Sequence, residues 1–365
     1  MKKKSKSRRQ FIRSAAAGFG LSLAGPATSL HQAISAPLTS IISPKDQDQP
    51  ENSQRKGSIA QSGKRVGIIG LDTSHSTAFA KAFNDPAAGD SLGGYRVVAA
   101  YPHGSKDIES SVSRIPHYTE EVRKLGVTIT NSVDELLEKV DFVLLETNDG
   151  RLHLEQAMQV FQAGKTVFID KPIAASLGDA IKIFEAAKKY QVPVFSASSL
   201  RYMGKAMEVR HGEIGQVLGA DTYSPATIEK THPDLFWYGV HGVEALFTVM
   251  GTGCKSVSRV HTEGTDIVTG VWEDGRIGTF RGTRTGKHGY GGTAYGEKGN
   301  MVLGPYNGYL PLLKEIVHFF DTGKPPVNED ETLEIFAFMA AADESKRKKG
   351  ATVSLEKVME KAKRR

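Results

Sequence analysis

The stretch that most constrains how this chain folds runs from Lys64 to His75. A short apolar segment, residues 66–69, ends at Gly70 and is followed by polar residues of the kind that cap helices. This pattern predicts a buried first strand that turns tightly into a helix. In a doubly wound α/β fold, such a turn lies under the pyrophosphate of a dinucleotide.

Two residues of this turn depart from the glycine fingerprint of dinucleotide-binding sites. Three glycines are expected, but only Gly70 is present, because Asp72 and His75 occupy the other two positions. A carboxylate about 4 Å from a phosphate charge costs about 4 kcal/mol at an effective dielectric near 20. Asp72, Thr73 or Ser74 could instead cap the helix, and the sequence leaves both interpretations open.

The rest of the chain shows two different patterns of predicted secondary structure. From residue 66 to residue 195, strand-like and helix-like segments take turns. This predicts a doubly wound parallel sheet of the Rossmann type, which we place at residues 64–198. From residue 199 to residue 365, alternating strands with glycine turns predict a second α/β domain with a mostly antiparallel sheet. Its last helices are candidates for packing back on the first domain.

The N-terminal residues have the composition of a targeting segment. Residues 7–13 contain a twin arginine followed by an apolar pair, and residues 15–24 are apolar but too short to span a membrane. This pattern resembles a twin-arginine (Tat) signal, so we expect residues 1–43 to direct export to the periplasm or another extracytoplasmic compartment through the Tat machinery. A disordered basic arm is the alternative. The polar residues 44–63 predict a disordered linker.

The positive charge of the chain is concentrated in this N-terminal segment. The formal net charge is +6, and eight lysines and arginines precede the first acidic residue, Asp46. The remainder is close to neutral and lacks the electrostatic footprint of a nucleic-acid-binding protein. The single cysteine, Cys254, excludes an internal disulfide.

Polar residues follow two predicted strands at the edge of the first sheet where doubly wound folds bind ligands. Asp170 and Lys171 follow one strand, and Thr147 and Asn148 follow another, with His153 shortly after. A partly desolvated lysine can donate a hydrogen bond or a proton to a substrate oxygen. Threonine and asparagine can bond a ribose or an amide. A surface salt bridge and a helix cap are the respective alternatives for the Asp–Lys pair and His153.

A third group of candidate residues lies in the second half of the chain. Trp237, Tyr238 and His241 combine aromatic rings with a histidine and neighbouring glycines. This composition suits a sugar-like ligand. The alternative is an amphipathic core helix with one hydrogen-bonded histidine.

In their order along the chain, these motifs resemble the Gfo/Idh/MocA family of nicotinamide-dependent oxidoreductases. The resemblance covers about residues 64–355. It rests on six motifs, at residues 66–70, 147–153, 170–172, 212–215, 239–241 and 323–326. It implies an N-terminal Rossmann domain and a C-terminal α/β domain with a large open sheet, through which we expect a homo-oligomer to form.

The resemblance also implies roles for individual residues. Lys171 would contact both nicotinamide and substrate, and His241 would be the acid/base that exchanges the hydroxyl proton. Arg201, Trp237 and Tyr238 would contact the substrate. The expected cofactor-binding residues are Gly70, Leu71, Asp72, Thr73, Ser74, His75, Thr147, Asn148, His153, Asp170 and Lys171.

Several positions differ from the family pattern. Trp237 replaces a substrate-anchoring aspartate, and the acidic residue expected to bond the adenosine ribose falls near Pro102. Ser105 and Lys106 could instead favour the 2′-phosphate of NADP, so the cofactor is expected to be NAD or NADP.

These observations lead to one leading hypothesis and two alternatives. The leading hypothesis is an exported oxidoreductase that transfers a hydride between NAD(P) and a sugar, polyol or sugar derivative. The first alternative is a metal-assisted lyase or hydrolase on the same fold. The second is a catalytically silent sugar-binding protein. The candidate ligands for a divalent metal are Asp72, His75, Asp149, His153, His232 and His241.

Overall fold

A computed structural model describes residues 64–364 of the chain. The predicted export signal and linker, residues 1–63, lie outside the described residues. None of the helices in the described part is long and apolar enough to cross a bilayer.

The first half of the described chain forms a six-stranded sheet in which every neighbouring pair is parallel. The strands are β1 (Arg65–Ile69), β2 (Arg96–Tyr101), β3 (Thr128–Ile129), β4 (Phe142–Leu145), β5 (Thr166–Ile169) and β6 (Val194–Ser196). Their order in the sheet is β3-β2-β1-β4-β5-β6. This is the order of the Rossmann fold, so the predicted doubly wound sheet is confirmed.

Eleven helices accompany the two sheets of the described residues, and two short 3₁₀ segments, Pro86–Leu92 and Ser199–Tyr202, connect elements. The helices are α1 (Ser74–Asn84), α2 (Glu109–Val112), α3 (Ile115–Lys124), α4 (Val133–Leu137), α5 (His153–Gln162), α6 (Leu177–Tyr190), α7 (Ala206–Arg210), α8 (Val240–Met250), α9 (Leu310–Thr322), α10 (Glu329–Arg347) and α11 (Leu355–Lys363).

Local sequence explains where several helices begin. Ser132 caps α4, since its hydroxyl accepts a hydrogen bond from the backbone N–H of Glu135 (3.1 Å). Ser176 caps α6 in the same way. The region between Pro102 and Gly126 contains α2 and α3. α3 is mostly exposed and has few apolar residues, so it gave little hydrophobic periodicity to detect.

The second sheet has seven strands in the order β12-β11-β7-β10-β9-β8-β13. The strands are β7 (Val217–Pro225), β8 (Cys254–His261), β9 (Thr265–Trp272), β10 (Ile277–Thr283), β11 (Gly291–Gly296), β12 (Gly299–Leu303) and β13 (Val353–Ser354). All neighbouring pairs are antiparallel except β7 with β10. The prediction of a mostly antiparallel second sheet is confirmed. One face packs on α8 and α10.

Helix α9 connects the two halves of the described structure. Its buried residues Leu312, Ile316 and Phe319 share an apolar cluster with Val66 and Phe79 of the first sheet and α1. The loop before α9 is thereby placed beside the carboxyl edge of the parallel sheet, where the candidate site residues lie.

Candidate active site

Gly70 fixes how the first strand turns into α1. Its φ is +99°, and a Cβ atom would lie 2.4 Å from the backbone nitrogen of Thr147. Only glycine fits this conformation and this approach. The turn therefore packs directly against the loop that follows β4.

Asp72 lies inside the protein between two loops. It is 0% exposed, and its carboxylate accepts hydrogen bonds from the Ser111 hydroxyl and from the backbone N–H of Asn148 (2.9 Å). A Cβ atom on Gly104 would lie 2.6 Å from Asp72 Oδ2, so the loop after β2 covers it closely. Burial raises the pKa of Asp72, partly offset by its hydrogen bonds. The Asp72 carboxylate therefore ties loops together and does not enter the cleft that Lys171 and His241 line.

Thr73 is the residue that caps α1. Its hydroxyl accepts from the backbone N–H of His75, at 3.4 Å. Of the three residues that the sequence offered as caps, Thr73 is the one that caps α1 in the structure. Ser74 is the first residue of α1 and is exposed.

His75 extends from α1 to the loop after β5. Its Nδ1 lies 2.8 Å from Asp170 Oδ2, and its ring packs edge-on against Tyr309 with a centroid separation of 4.9 Å. The histidine is 8% exposed. It thus fills the position where a third glycine would allow the helix to pack closely on the strand.

Asp170 and Lys171 are both buried at the carboxyl end of β5. Lys171 Nζ lies 4.0 Å from Asp170 Oδ2. Burial alone would raise the pKa of Asp170, but the positive charges of His75 and Lys171 outweigh it and lower the pKa to about 2. Asp170 is therefore an anion that holds a histidine on one side and a lysine on the other.

His241 lies in the first turn of α8 and lines the same cleft as Lys171 and His75. Its Nδ1 lies 2.7 Å from the Ser198 hydroxyl, which fixes the orientation of the ring. Burial, followed by the nearby positive charges of Lys171 and His75, lowers the pKa of His241 well below its ordinary value. The imidazole is therefore neutral near pH 7 and able to accept a proton.

Tyrosines line the cleft above His241. The hydroxyls of Tyr238 and Tyr290 lie 2.8 Å apart, and the hydroxyl of Tyr306 lies 3.0 Å from that of Ser199. Tyr309 packs against the ring of Tyr306. Except for Tyr238, these residues were missed in the sequence, because they lie outside the motifs and no periodicity directs them to the cleft.

Glu146 was also missed, and it lies beneath the same cleft. It follows β4, is 0% exposed, and neither carboxyl oxygen has a hydrogen-bond partner in residues 64–364. Burial, together with the negative charge of Asp170, raises the pKa of Glu146 well above its ordinary value. One ligand atom from each of His75, Glu146 and Asp170 lies within 4.8 Å of the others. With Lys171, these three residues form what we call the carboxylate–histidine cluster.

The expected substrate contact of Arg201 is not supported by its surroundings. Its Nε donates to Glu244 Oε1 (2.9 Å) and its Nη2 donates to Glu331 Oε1 (2.7 Å), and it is 2% exposed. Arg210 completes this group, which we call the arginine network, by donating to Glu331 (2.8 Å). We correct the assignment of Arg201 to a structural role, because its guanidinium is buried and bonded to carboxylates.

The histidines proposed as metal ligands do not converge in the described structure. His153 is fully buried between the backbone carbonyl oxygens of Thr147 and Ile173. His232 packs on Trp237, with a centroid separation of 4.9 Å, and its Nε2 lies 3.3 Å from Asp149 Oδ1. Of the six candidate ligands, only His75 belongs to a group with metal-ligand spacing within residues 64–364.

A cavity of roughly 610 Å³ opens at the edge of the parallel sheet, beyond β2 and β4. Lys106, Arg151 and the side-chain amide of Gln156 line it, and within the described chain that buried amide has no partner. Arg151 is bonded to Asp107 and Asp149. With Arg151 paired to these carboxylates, Lys106 and the Gln156 amide are the donors that could bond the adenosine end of a dinucleotide.

The turn itself does not fit a pyrophosphate in the position given by the glycine fingerprint. The backbone N–H of Leu71 donates to the carbonyl of His103 (3.2 Å), so it is not free for a phosphate. Asp72 and the loop at Gly104 fill the space above it, and His75 fills the space beside it. A dinucleotide that uses the neighbouring cavity must therefore be held differently at this turn.

Comparison with known proteins supports the fold and the family. Residues 64–198 match the family model GFO_IDH_MocA, described as "Oxidoreductase family, NAD-binding Rossmann fold". An uncharacterized oxidoreductase of Streptococcus pneumoniae is 29% identical over 147 residues, which are 38% of this chain and 40% of that protein. The uncharacterized oxidoreductase YhhX of Escherichia coli is 24% identical over 140 residues, 34% of this chain and 40% of that protein. The matched region thus spans about 40% of the length of these curated relatives.

Solved structures share the fold over most of the described residues. A probable dehydrogenase from Thermotoga maritima has a TM-score of 0.66 at 21% identity, covering 80% of this chain and 99% of that one. The scyllo-inositol dehydrogenase of Lactobacillus casei, solved with NAD(H) and scyllo-inositol, has a TM-score of 0.63 at 16% identity, with coverage of 80% and 99%. At these identities the likeness establishes the fold alone. The sequence match covers the parallel sheet with Gly70 and Lys171, so residues 64–198 are similar to the NAD-binding Rossmann domain of the Gfo/Idh/MocA oxidoreductases.

Proposed function

We propose that this protein is an exported oxidoreductase that acts on a sugar, polyol or sugar derivative with NAD or NADP. The observation that carries the proposal is the meeting of Lys171 and a neutral His241 in one cleft. They come from different elements, yet the charge of Lys171 is close enough to lower the pKa of His241. A buried cation beside a neutral imidazole is suited to moving a proton to or from a substrate hydroxyl.

The chain's own residues divide the work at a substrate carbon that bears a hydroxyl. His241, oriented by Ser198, accepts the hydroxyl proton during oxidation and returns it during reduction. Lys171 stabilises the negative charge that develops on the oxygen. Asp170 holds Lys171 in place. A bound nicotinamide would supply the hydride chemistry.

The lining of the cleft supports a polyhydroxylated substrate. Tyr238, Tyr290 and Tyr306 present apolar ring faces together with hydroxyls that donate and accept hydrogen bonds. Such a surface suits a sugar ring, which has both apolar faces and hydroxyl edges. The inositol dehydrogenase with the same fold was solved with a polyol of this kind.

A second candidate function is favoured by Asp72 and His75. Since these side chains fill the dinucleotide turn, the same Lys171 and His241 could move protons on a sugar without a redox step, as in a lyase. The two candidates share the substrate half of the site and differ only in the cofactor.

Dinucleotide binding separates the two candidates. Purified protein is titrated calorimetrically with NAD, NADH, NADP and NADPH, and a panel of sugars and polyols is assayed by nicotinamide absorbance. We expect saturable binding of one dinucleotide and turnover with a cyclic polyol or sugar. Absence of binding, together with product formation that leaves nicotinamide absorbance unchanged, would exclude the oxidoreductase and support the lyase.

Export and assembly complete the proposal. Replacing Arg8 and Arg9 with lysine should retain the protein in the cytoplasm, measured by cell fractionation.

The face of the second sheet opposite α8 exposes apolar side chains, including Val260 and Val302, which are 68% and 70% exposed. We expect this face to form a homo-oligomer, detected by light scattering and disrupted by Val302→Lys.

A further inference from the structure

A buried group of oxygen atoms beneath the cleft lacks hydrogen-bond donors. Both carboxyl oxygens of Glu146, Oδ1 of Asp170 and the hydroxyl of Thr147 are buried without a partner in the described part of the chain. Buried polar atoms are nearly always paired with protein groups, water or ions. Four such atoms at the ends of two adjacent strands indicate that a group outside the polypeptide belongs here.

His75, Glu146 and Asp170 surround this place from three different elements. Each offers one ligand atom, and these atoms lie within 4.8 Å of one another. The ligands of a four-coordinate divalent ion lie about 3.5 Å apart, so small side-chain rotations bring all three into range. Because α1 and the ends of β4 and β5 hold them, their positions are set by the sheet.

We propose that His75, Glu146 and Asp170 form a binding site for one divalent transition-metal ion, such as Zn²⁺ or Mn²⁺. One imidazole nitrogen with two carboxylates is a donor set that these ions accept. Three protein ligands leave positions open for water or a substrate oxygen. Asp72 is excluded from the set, because its carboxylate is bonded to Ser111 and Asn148.

The site gives a reason for two residues that neither candidate reaction uses. His75 occupies a fingerprint position and Glu146 is a buried acid without a donor, and an ion satisfies both. Lys171 Nζ lies 4.0 Å from Asp170 Oδ2, whereas the unpaired oxygen of this carboxylate is Oδ1. The proposal does not rest on the oxidoreductase assignment, since metal binding is measured without turnover.

Metal content of the full-length protein is the direct test. Protein without a histidine tag is stripped with a chelator, dialysed against Mn²⁺ or Zn²⁺, and measured by elemental analysis. We expect one ion per chain, a higher unfolding temperature with the ion, and visible absorption bands after Co²⁺ substitution. No stoichiometric ion and no change in unfolding temperature would overturn the proposal.

Two variants and a matched control locate the ion. Glu146→Gln keeps the side-chain shape and removes a ligand, so we expect metal affinity to fall about 100-fold. Asp72→Asn neutralises a buried neighbouring carboxylate outside the set and should retain one ion per chain. Asp170→Asn gives an independent measurement if Glu146→Gln does not fold. Wild-type affinity in the folded ligand variants would contradict the site.

Discussion

Two groups of charged residues, buried except for Arg210, differ in how completely they are paired. The arginine network has two cations, two carboxylates, and a donor for each carboxylate. Its members are Arg201, Arg210, Glu244 and Glu331. The carboxylate–histidine cluster leaves three carboxyl oxygens without donors in residues 64–364. Its members are His75, Glu146, Asp170 and Lys171.

This difference in pairing distinguishes a group that stabilises the fold from a group that can bind a ligand or react. A buried ion network whose groups satisfy one another has nothing left to offer a ligand, and losing one partner leaves a buried charge uncompensated. A cluster with unpaired oxygens retains the capacity to bind a ligand or to react. We therefore expect variants near the second cluster to change activity and variants in the first to change stability.

The largest effect on activity is expected for His241→Asn. Loss of a general base typically lowers the rate by about 10²- to 10⁴-fold, so kcat/KM should fall in that range. Stability should change by only about 1 kcal/mol, the value of the hydrogen bond to Ser198. The matched control is His117→Asn on the exposed face of α3. Unchanged kcat/KM in His241→Asn would remove this histidine from the mechanism.

The arginine network should give the opposite result. Arg201→Met preserves side-chain bulk but leaves the buried Glu244 and Glu331 without their shared cation. We expect a loss of about 3–5 kcal/mol in the free energy of unfolding, measured with urea, and nearly unchanged kcat/KM for the folded fraction. Arg210→Met, at a side chain 31% exposed, should cost less. A raised KM at wild-type stability would instead return Arg201 to the substrate site.

The sequence predicted the fold because its signals were local. Gly70, the apolar strands and the cap at Ser132 each determine structure within a few residues. Lys171 and His241, chosen from two separate motifs, lie close enough for the charge of Lys171 to lower the pKa of His241, and their catalytic roles stay a prediction. The C-terminal sheet was visible from strand alternation and glycine turns. Only short or mostly exposed elements such as α2, α3 and β13 escaped.

The parts of the site that the sequence could not predict depend on long-range packing. From the sequence alone, Asp72 and Arg201 look like ligand-binding residues. In the fold they are buried and hydrogen-bonded to Ser111 and Glu331, which lie 39 and 130 positions away along the chain. Glu146 carries no motif at all. Glu146 stands out only in the folded structure, where both of its buried carboxyl oxygens lack a hydrogen-bond donor within the described residues.

The pH dependence of stability sharpens the role of the arginine network. Burial alone would raise the pKa of Glu331, but Arg201 and Arg210 lower it below its ordinary value of 4.5. The stabilisation from this carboxylate is therefore present above pH 4.5 and lost as the pH falls through its lower pKa in the folded state. The stability difference between wild type and Glu331→Gln should shrink on acidification, by at most about 1.4 kcal/mol per pH unit. A difference independent of pH down to unfolding would show that Glu331 is not held as an anion.

The smallest effect is expected for Tyr290→Phe, which tests whether the cleft binds substrate through its hydroxyls. The change removes one hydrogen bond to Tyr238, 2.8 Å long, and keeps the ring near His241. Loss of a hydrogen bond from this hydroxyl to the substrate, worth about 1 kcal/mol, should raise KM about fivefold with kcat little changed. Tyr295→Phe is the control, since that hydroxyl bonds Asp221 on the exposed side of the second sheet. If both variants had the same KM as wild type, the tyrosines would only pack against His241. The substrate would then have to be recognised by other groups of the cleft, such as Lys171 and His241, and the aromatic lining would not be the source of specificity.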